Sequence, residues 1–146
     1  MSDENRILIV DDDADIRLGY HVLLKAHDYD ICFASDALSA VAEAHIYKPH
    51  LILLDIGLPS LPRSEYTMPL PEPSGGFLVM ERLQADLYLA AIPIVIVSGR
   101  DPFADRERAL QGGAKAFVQK PWNNDNLLGI ISQLLSSGAL LTSRPS

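Results

Sequence analysis

The sequence has only one cysteine, Cys32, so no disulfide can form within the chain. Cys32 lies between Ile31 and Phe33, where a buried structural thiol is the simplest interpretation. Basic residues are also scarce, since 12 Lys and Arg stand against 19 Asp and Glu, which gives a formal net charge of −7. The basic residues are scattered and cannot neutralise a row of phosphates. Direct nucleic-acid binding is therefore not expected.

Long hydrophobic runs are missing as well. No apolar stretch approaches the roughly 18–20 residues that span a bilayer. The longest, residues 90–97, has the length of a strand and contains Pro93. Asp3 and Glu4 stand where a signal peptide would carry its basic region. We therefore expect no membrane segment, and the lack of disulfides fits the reducing cytoplasm.

What the sequence does contain is an alternation of strands and helices. Five short apolar runs predict buried strands, at residues 7–10, 31–34, 51–54, 94–97 and 116–119. Helical patterns follow each strand, at residues 16–24, 38–45, 77–87, 105–111 and 127–135. The expected helix caps are Asp13, either Ser35 or Asp36, and either Asn123 or Asn124. Strands that alternate with helices predict an α/β fold whose parallel sheet is covered on both faces.

The length of 146 residues suits a single domain, which we place at residues 1–136. Residues 60–75 interrupt its pattern, because they hold four prolines and little apolar periodicity. This insertion is longer than the roughly 2–6 residues of most such connections. It is interpreted either as a decoration without fixed structure or as a lid over the site described next. Residues 137–146 are expected to form a flexible C-terminal tail.

Charged and hydroxyl side chains stand where the predicted strands end. Asp11 and Asp12 follow the first strand, Asp55 the third, Ser98 the fourth and Lys120 the fifth. These side chains can meet in one crevice, because ligands bind beyond the carboxyl ends of an open parallel sheet. Three neighbouring carboxylates need a cation to stay ionised together, and an incomplete set of oxygen ligands suits Mg²⁺. With a lysine and a hydroxyl, such a site could neutralise a phosphoryl group in transit to one carboxylate.

In four stretches the sequence resembles the response-regulator receiver family. They are residues 7–13 (ILIVDDD), 53–59 (LLDIGLP), 97–100 (VSGR) and 112–122 (GGAKAFVQKPW). The resemblance covers about residues 5–135. It implies a flavodoxin-like, doubly wound, five-stranded parallel sheet of order 2-1-3-4-5 with five helices.

The resemblance also implies a role for the residues at the strand ends. Asp55 is similar in position to the family's phosphoacceptor. Asp11 and Asp12 match the acidic pair that binds Mg²⁺ together with it, and Mn²⁺ is the alternative ion. Gly57 would contribute only its backbone carbonyl to the metal.

Three further positions match the family's switching apparatus. Ser98 matches the hydroxyl residue that moves towards the phosphoryl group. Phe117 matches the aromatic residue that swings inward when this hydroxyl moves. Lys120 matches the family's lysine, whose bond to the following proline is commonly cis. The output face of the family corresponds to residues 102–111, 116–119 and 124–135.

The function implied by the resemblance is that of a regulatory phosphoacceptor in a two-component phosphorelay, not of an enzyme. The phosphoryl donor would be a sensor histidine kinase or a histidine phosphotransfer protein. No output domain follows the last helix, so the chain is expected to be a stand-alone receiver or one excised from a longer protein. The output partner is unknown, and a homodimer through the output face is a further expectation by analogy.

Two other interpretations stay open. A haloacid-dehalogenase-type phosphatase would use the spacing of Asp11 and Asp13, but Asp15 replaces the usual threonine or valine and Asp55 is left unexplained. The other is a non-phosphorylated interaction module with the same fold. Labelling by a phosphodonor separates them, because a receiver is labelled on Asp55, a phosphatase on Asp11 and the module nowhere.

The sequence also departs from the family pattern. Ser98 stands where threonine is often found, which keeps the hydroxyl but loses a methyl group. Gly57 and Arg100 occupy two variable positions that are thought to tune the lifetime of the phosphoryl group.

Overall fold

The five strands form one parallel sheet in the order β2-β1-β3-β4-β5. The computed structural model describes residues 5–58 and 75–143, with side chains as far as residue 136. The strands are β1 (Arg6–Val10), β2 (Asp30–Ala34), β3 (Leu51–Leu54), β4 (Ile94–Ser98) and β5 (Ala116–Gln119). The helices are α1 (Ala14–Lys25), α2 (Ala37–Tyr47), α3 (Gly75–Gln84), α4 (Pro102–Gln111) and α5 (Asn124–Ser143). The expected fold class and strand order are confirmed.

The central strands are buried on both faces, which explains their uninterrupted apolar sequences. Alternate residues of β1 point into two separate cores, with Leu8 and Val10 in one and Ile7 and Ile9 in the other. Helices α2, α3 and α4 cover the first core, and α1 and α5 cover the second. The polar residues that follow the strands are thereby held at the carboxyl edge of the sheet.

Side-chain caps start the helices close to that edge. One carboxylate oxygen of Asp13 accepts hydrogen bonds from the backbone N–H groups of Asp15 (2.9 Å) and Ile16 (3.1 Å). Two candidate caps were proposed for each of α2 and α5. Asp36 caps α2, and at the start of α5 the side chain of Asn123 accepts a hydrogen bond from the N–H of Asn126 at 2.9 Å. The chain therefore leaves each of these strands through a short polar turn.

Helix boundaries differ from the sequence-based prediction most clearly at the start of α4, which begins at Pro102 rather than Asp105, and at the ends of α3 and α5. Helix α3 ends at Gln84, and Leu87, expected within it, lies in the following turn with 94% of its surface exposed. Helix α5 continues to Ser143, so the helix end expected at residue 135 is wrong. Serine and glycine cost a helix at most about 1 kcal/mol each, and the leucines and alanine beyond residue 137 favour it. The tail's flexibility and the domain limits at residues 136 and 137 stay predictions.

The ends of the proline-rich insertion lie next to each other. The carbonyl of Leu58 accepts a hydrogen bond from the N–H of Gly75 at 2.7 Å, so the chain leaves and re-enters the body at one point. Residues 59–74 are outside the described part of the chain, so the choice between an unstructured decoration and a lid stays a prediction. Among the helices that the structure does describe, none combines the length and apolar character needed to cross a bilayer.

Candidate functional site

Pairing between strands brings the predicted site residues to one edge of the sheet. Val10 and Leu54 are partners in the β1–β3 ladder, and the N–H of Asp55 continues it by donating to the carbonyl of Val10 at 3.0 Å. On the other side, the N–H of Lys120 donates to the carbonyl of Ser98 at 2.8 Å. The ends of β4 and β5 extend two residues beyond those of β1 and β3, and the parallel register places all four at the same edge of the sheet, where the ends of β1 and β3 are level.

Three carboxylates meet at this level. Asp11, Asp12 and Asp55 each offer one oxygen atom, and the three oxygens lie within 4.8 Å of one another. Asp11 is 1% exposed, and the other two residues are half-buried. A ligand set made only of oxygens, in a group of like charges that repel one another, fits a small hard divalent cation. The donor set therefore fits the Mg²⁺ ion expected from the sequence.

Lys120 is the cation of this cluster. Its Nζ atom lies 2.6 Å from Oδ2 of Asp11 and 3.7 Å from Oδ1 of Asp55, and its side chain is 14% exposed. The peptide bond from Lys120 to Pro121 is cis, as in the family pattern. One ammonium group thus contacts the acids of two different strands, although it cannot neutralise three carboxylates.

The pKa of Asp55 reflects its burial and the charges around it. Burial is the largest influence and raises the pKa of Asp55 from its ordinary value of 3.8 to about 6. The Lys120 ammonium and the N–H of Gly57 lower that pKa, whereas the charges of Asp11 and Asp12 raise it further. Because these influences together disfavour the ionised form of Asp55, an added cation would stabilise that form.

Ser98 and Gly57 flank the carboxylates. Ser98 is completely buried, and its Oγ accepts a hydrogen bond from the N–H of Arg100 at 3.1 Å, which leaves the hydroxyl hydrogen to donate elsewhere. The N–H of Gly57 lies 3.3 Å from Oδ1 of Asp55. A Cβ atom at Gly57 would be 3.8 Å and 3.9 Å from the two Asp55 oxygens, so glycine keeps this side open.

Phe117 lies one layer away from the acids. It pairs with Ile96 across the β4–β5 ladder and packs, partly buried, against the core beneath α3 and α4. The structure therefore brings Asp11, Asp12, Asp55 and Lys120 together and holds Ser98 beside them. Phe117 borders the core to which α4 contributes Ala109.

Two structural supports of the site were not expected from the sequence. Gly76 allows α3 to approach the end of β3 closely, since a Cβ there would lie 2.4 Å from the carbonyl oxygen of Asp55. The Gly75-Gly76 pair that opens α3 was the available signal. Trp122 stacks on buried Tyr20 with ring centroids 4.4 Å apart, and this contact joins the loop of Lys120 to α1. No spacing rule connects residues so distant in sequence.

Comparison with known proteins assigns the family. Residues 7–132 match the model of the response regulator receiver domain. The chain belongs to this family. The receiver domain is 30% identical to the protein PilH of Pseudomonas aeruginosa over 131 residues, which cover 90% of this chain and 98% of PilH. It is 32% identical over 130 residues to the response regulator PleD of Caulobacter vibrioides, covering 88% of this chain but 26% of PleD.

Solved structures agree on the fold of this receiver domain. The receiver domain of the sensor histidine kinase PA1611 of Pseudomonas aeruginosa has a TM-score of 0.76 and 23% identity, over 90% of this chain and 98% of the other. That structure holds a magnesium ion in its active-site cleft. The identification places this chain in two-component signalling.

Proposed function

We propose that this receiver domain accepts a phosphoryl group on Asp55 from a phosphohistidine of a sensor histidine kinase or a histidine phosphotransfer protein. The observation that carries the proposal is the Lys120 ammonium, 2.6 Å from Asp11 and 3.7 Å from Asp55, at the mouth of a three-carboxylate cluster. From this position the ammonium could also neutralise charge on the oxygens of a phosphoryl group attached to Asp55.

Asp11, Asp12, Asp55 and the backbone carbonyl of Gly57 are the residues proposed to hold Mg²⁺, with Mn²⁺ as an oxygen-binding substitute. The bound ion would supply positive charge to the oxygens of the transferring phosphoryl group. The magnesium in the PA1611 receiver supports this assignment. The assignment also agrees with the charges of the cluster, since one ammonium group accompanies three carboxylates.

The protein's own groups account for the transfer. A carboxylate oxygen of Asp55 forms the new bond to phosphorus as the bond to the donor's imidazole nitrogen breaks, and the imidazole leaves with that electron pair. Lys120 balances charge on the phosphoryl oxygens, and the buried Ser98 hydroxyl donates to one of them. Gly57 leaves room for the donor beside Asp55.

The output is proposed to be a change of shape. Ser98 drawn towards the phosphoryl group would vacate space towards Phe117, which lies at the edge of the core beneath α4. To convert a mostly inactive population to a mostly active one, phosphorylation must favour the active form by about 5 kcal/mol. The face formed by α4, β5 and α5 is the proposed contact for an output domain, a separate partner or a second copy, in the cytoplasm.

Phosphodonor labelling tests the proposal directly. The protein is incubated with acetyl phosphate with and without Mg²⁺, the aspartyl phosphate is trapped by borohydride reduction, and the labelled residue is identified by mass spectrometry. We expect Mg²⁺-dependent label on Asp55, its loss in Asp55→Asn and its retention in the exposed control Asp15→Asn. Label on Asp11 would indicate phosphatase-type chemistry, and no label at all would indicate an interaction module.

A further inference from the structure

The β4–α4 loop and helix α4 are joined by an ion pair that the proposed function does not use. Nε of Arg100 lies 3.0 Å from Oδ2 of Asp105, which belongs to the first turn of α4. The side chain of Asp105 is 5% exposed and that of Arg100 is 31% exposed. This Oδ2 has no aligned hydrogen bond within the described part of the chain, so the guanidinium charge is what compensates the buried carboxylate.

The ion pair contributes strongly to the attachment of α4 to the rest of the domain, because few other residues of this helix are buried. Of its residues, all of which the structure describes, only Asp105 and Ala109 are buried. Phe103 in its first turn is 97% exposed. The helix is therefore attached to the body by little apolar surface, and one of its two buried residues is a carboxylate that needs a cation.

Arg100 is also placed next to the phosphoacceptor. A Cβ built on Gly57 would lie 3.9 Å from Cδ of Arg100 and 3.8 Å from Oδ2 of Asp55. The guanidinium extends beyond Cδ, so a rotation of its side chain can bring it over a group attached to Asp55. Its backbone N–H meanwhile donates to Oγ of Ser98, which ties the same residue to the hydroxyl proposed to bind the phosphoryl group.

We propose that Arg100 is a positioning residue that couples phosphorylation of Asp55 to helix α4 by exchanging one anion for another. This inference rests on the proposed function. In the unphosphorylated protein the guanidinium compensates Asp105. A phosphoryl group on Asp55 offers more charge and a fork of oxygens suited to a guanidinium, and therefore competes for it. Asp105 then loses its compensation, and α4 must loosen to let water reach the carboxylate.

The test compares hydrogen exchange of the α4 amides with and without Mg²⁺ and beryllofluoride, a mimic of the phosphoryl group. The variants are Arg100→Ala, Arg100→Lys and Asp105→Asn. Arg106→Ala serves as the matched control, since it removes an exposed arginine of the same helix. Occupancy by beryllofluoride is measured independently by ¹⁹F NMR, and Asp55 labelling by acetyl phosphate is measured for every variant.

In the wild type and in Arg106→Ala we expect the mimic to speed α4 exchange by about fivefold or more. In Arg100→Ala, α4 should exchange at the faster rate without the mimic, and its addition should change little. In Asp105→Asn, which has no buried charge to compensate, α4 should keep the slower rate with and without the mimic. Arg100→Lys should restore part of the difference, because an ammonium compensates Asp105 but lacks the planar fork.

The possible failures are distinct. If acetyl phosphate does not label Asp55 in the wild type, the proposed function is wrong and the coupling with it. If Asp55 is labelled and beryllofluoride binds, but Arg100→Ala responds like Arg106→Ala, the coupling is wrong while the proposed function stands. An α4 helix that the mimic leaves unchanged in the wild type also overturns the coupling.

Discussion

At the amino edge of the sheet, Arg6 meets groups of opposite polarity, whereas at the carboxyl edge Asp55 meets groups of its own charge. Nε of Arg6 lies 3.2 Å and 3.1 Å from the carbonyl oxygens of Tyr47 and Lys48, and Nη2 lies 2.8 Å from that of Lys48. These carbonyls end α2, where the helix dipole favours a cation. Asp55 instead shares its pocket with two other carboxylates and one lysine.

The charge of Arg6 therefore stabilises the fold, whereas the charges around Asp55 are arranged as in a binding or reaction site. The charge of Arg6 is already compensated by the carbonyl groups that it contacts, so it needs no added ion or ligand. At the other edge, the pKa of Asp55 is raised because burial and the like charges of its neighbours oppose its ionisation. Such strain in a folded protein is typical of a site that binds a cation or a reacting group. The following variants test this contrast.

The largest effect is expected from Lys120→Met. Removing the ammonium leaves Asp11 buried with an uncompensated charge, and breaking a buried pair from one side costs about 3–5 kcal/mol. Urea unfolding at pH 7 without metal should show this loss. Mg²⁺ at one hundred times its Kd should recover about 2.7 kcal/mol. Lys115→Met, at an exposed lysine, should have almost no effect, and an equal loss in both variants would contradict the account.

The next effect concerns pH and Asp55. Its pKa of about 6 in the folded protein exceeds the ordinary 3.8, so the native state holds this proton more tightly than the unfolded chain does. Asp55 therefore lowers the free energy of unfolding as pH rises through this interval, and the penalty is complete above about pH 6. Asp55→Asn should raise the metal-free stability at pH 7 by up to about 3 kcal/mol and leave it unchanged at pH 3.

The comparison is made by thermal or urea unfolding of both proteins across that pH range. Saturating Mg²⁺ should remove the wild type's disadvantage, because the metal favours the ionised carboxylate. Binding can be followed through Trp122, the chain's single tryptophan, two positions beyond Lys120. A wild-type protein that is more stable than Asp55→Asn at pH 7 without metal would show that Asp55 is not strained.

A smaller effect is expected from Gly76→Ala. The added methyl would meet backbone atoms, at 2.4 Å from the carbonyl oxygen of Asp55 and 2.5 Å from Cα of Ile56, which cannot rotate away. We expect a loss of about 2 kcal/mol together with weaker Mg²⁺ binding and slower labelling of Asp55. Gly129→Ala is the matched control, since a Cβ there has nothing within 4 Å. It should stabilise α5 by up to about 1 kcal/mol and leave Mg²⁺ binding unchanged.

The smallest effect tests the amino edge. Arg6→Ala removes the hydrogen bonds to the end of α2 and should cost about 1–2 kcal/mol of unfolding free energy. Because Arg6 is remote from the acids, Mg²⁺ affinity and Asp55 labelling should stay within error of the wild type. Altered Mg²⁺ affinity in this variant would show that the two edges are energetically linked.

Most of the site was predictable from the sequence because its residues lie at, or just beyond, the ends of the strands. In a parallel sheet all strands end at the same edge, so finding the strands was enough to bring Asp11, Asp55 and Lys120 together. The strand order came from the family resemblance instead, since alternating apolar runs do not say which strand is central.

Other features depend on contacts between segments that no local pattern connects. The exposure of Leu87 depends on where neighbouring segments cover the chain. Propensity and periodicity describe a segment alone, and tertiary packing can override them. The same holds for the stacking of Trp122 on Tyr20.

Strand positions, helix caps and the chemical identity of the site residues are therefore properties that can be read from the chain, because they depend on neighbours along it. The 2.6 Å contact of Lys120 with Asp11, the raised pKa of Asp55 and the burial of Asp105 against Arg100 required the folded protein. Each of these depends on distance and on exclusion of water, and both are set only when separate elements pack together.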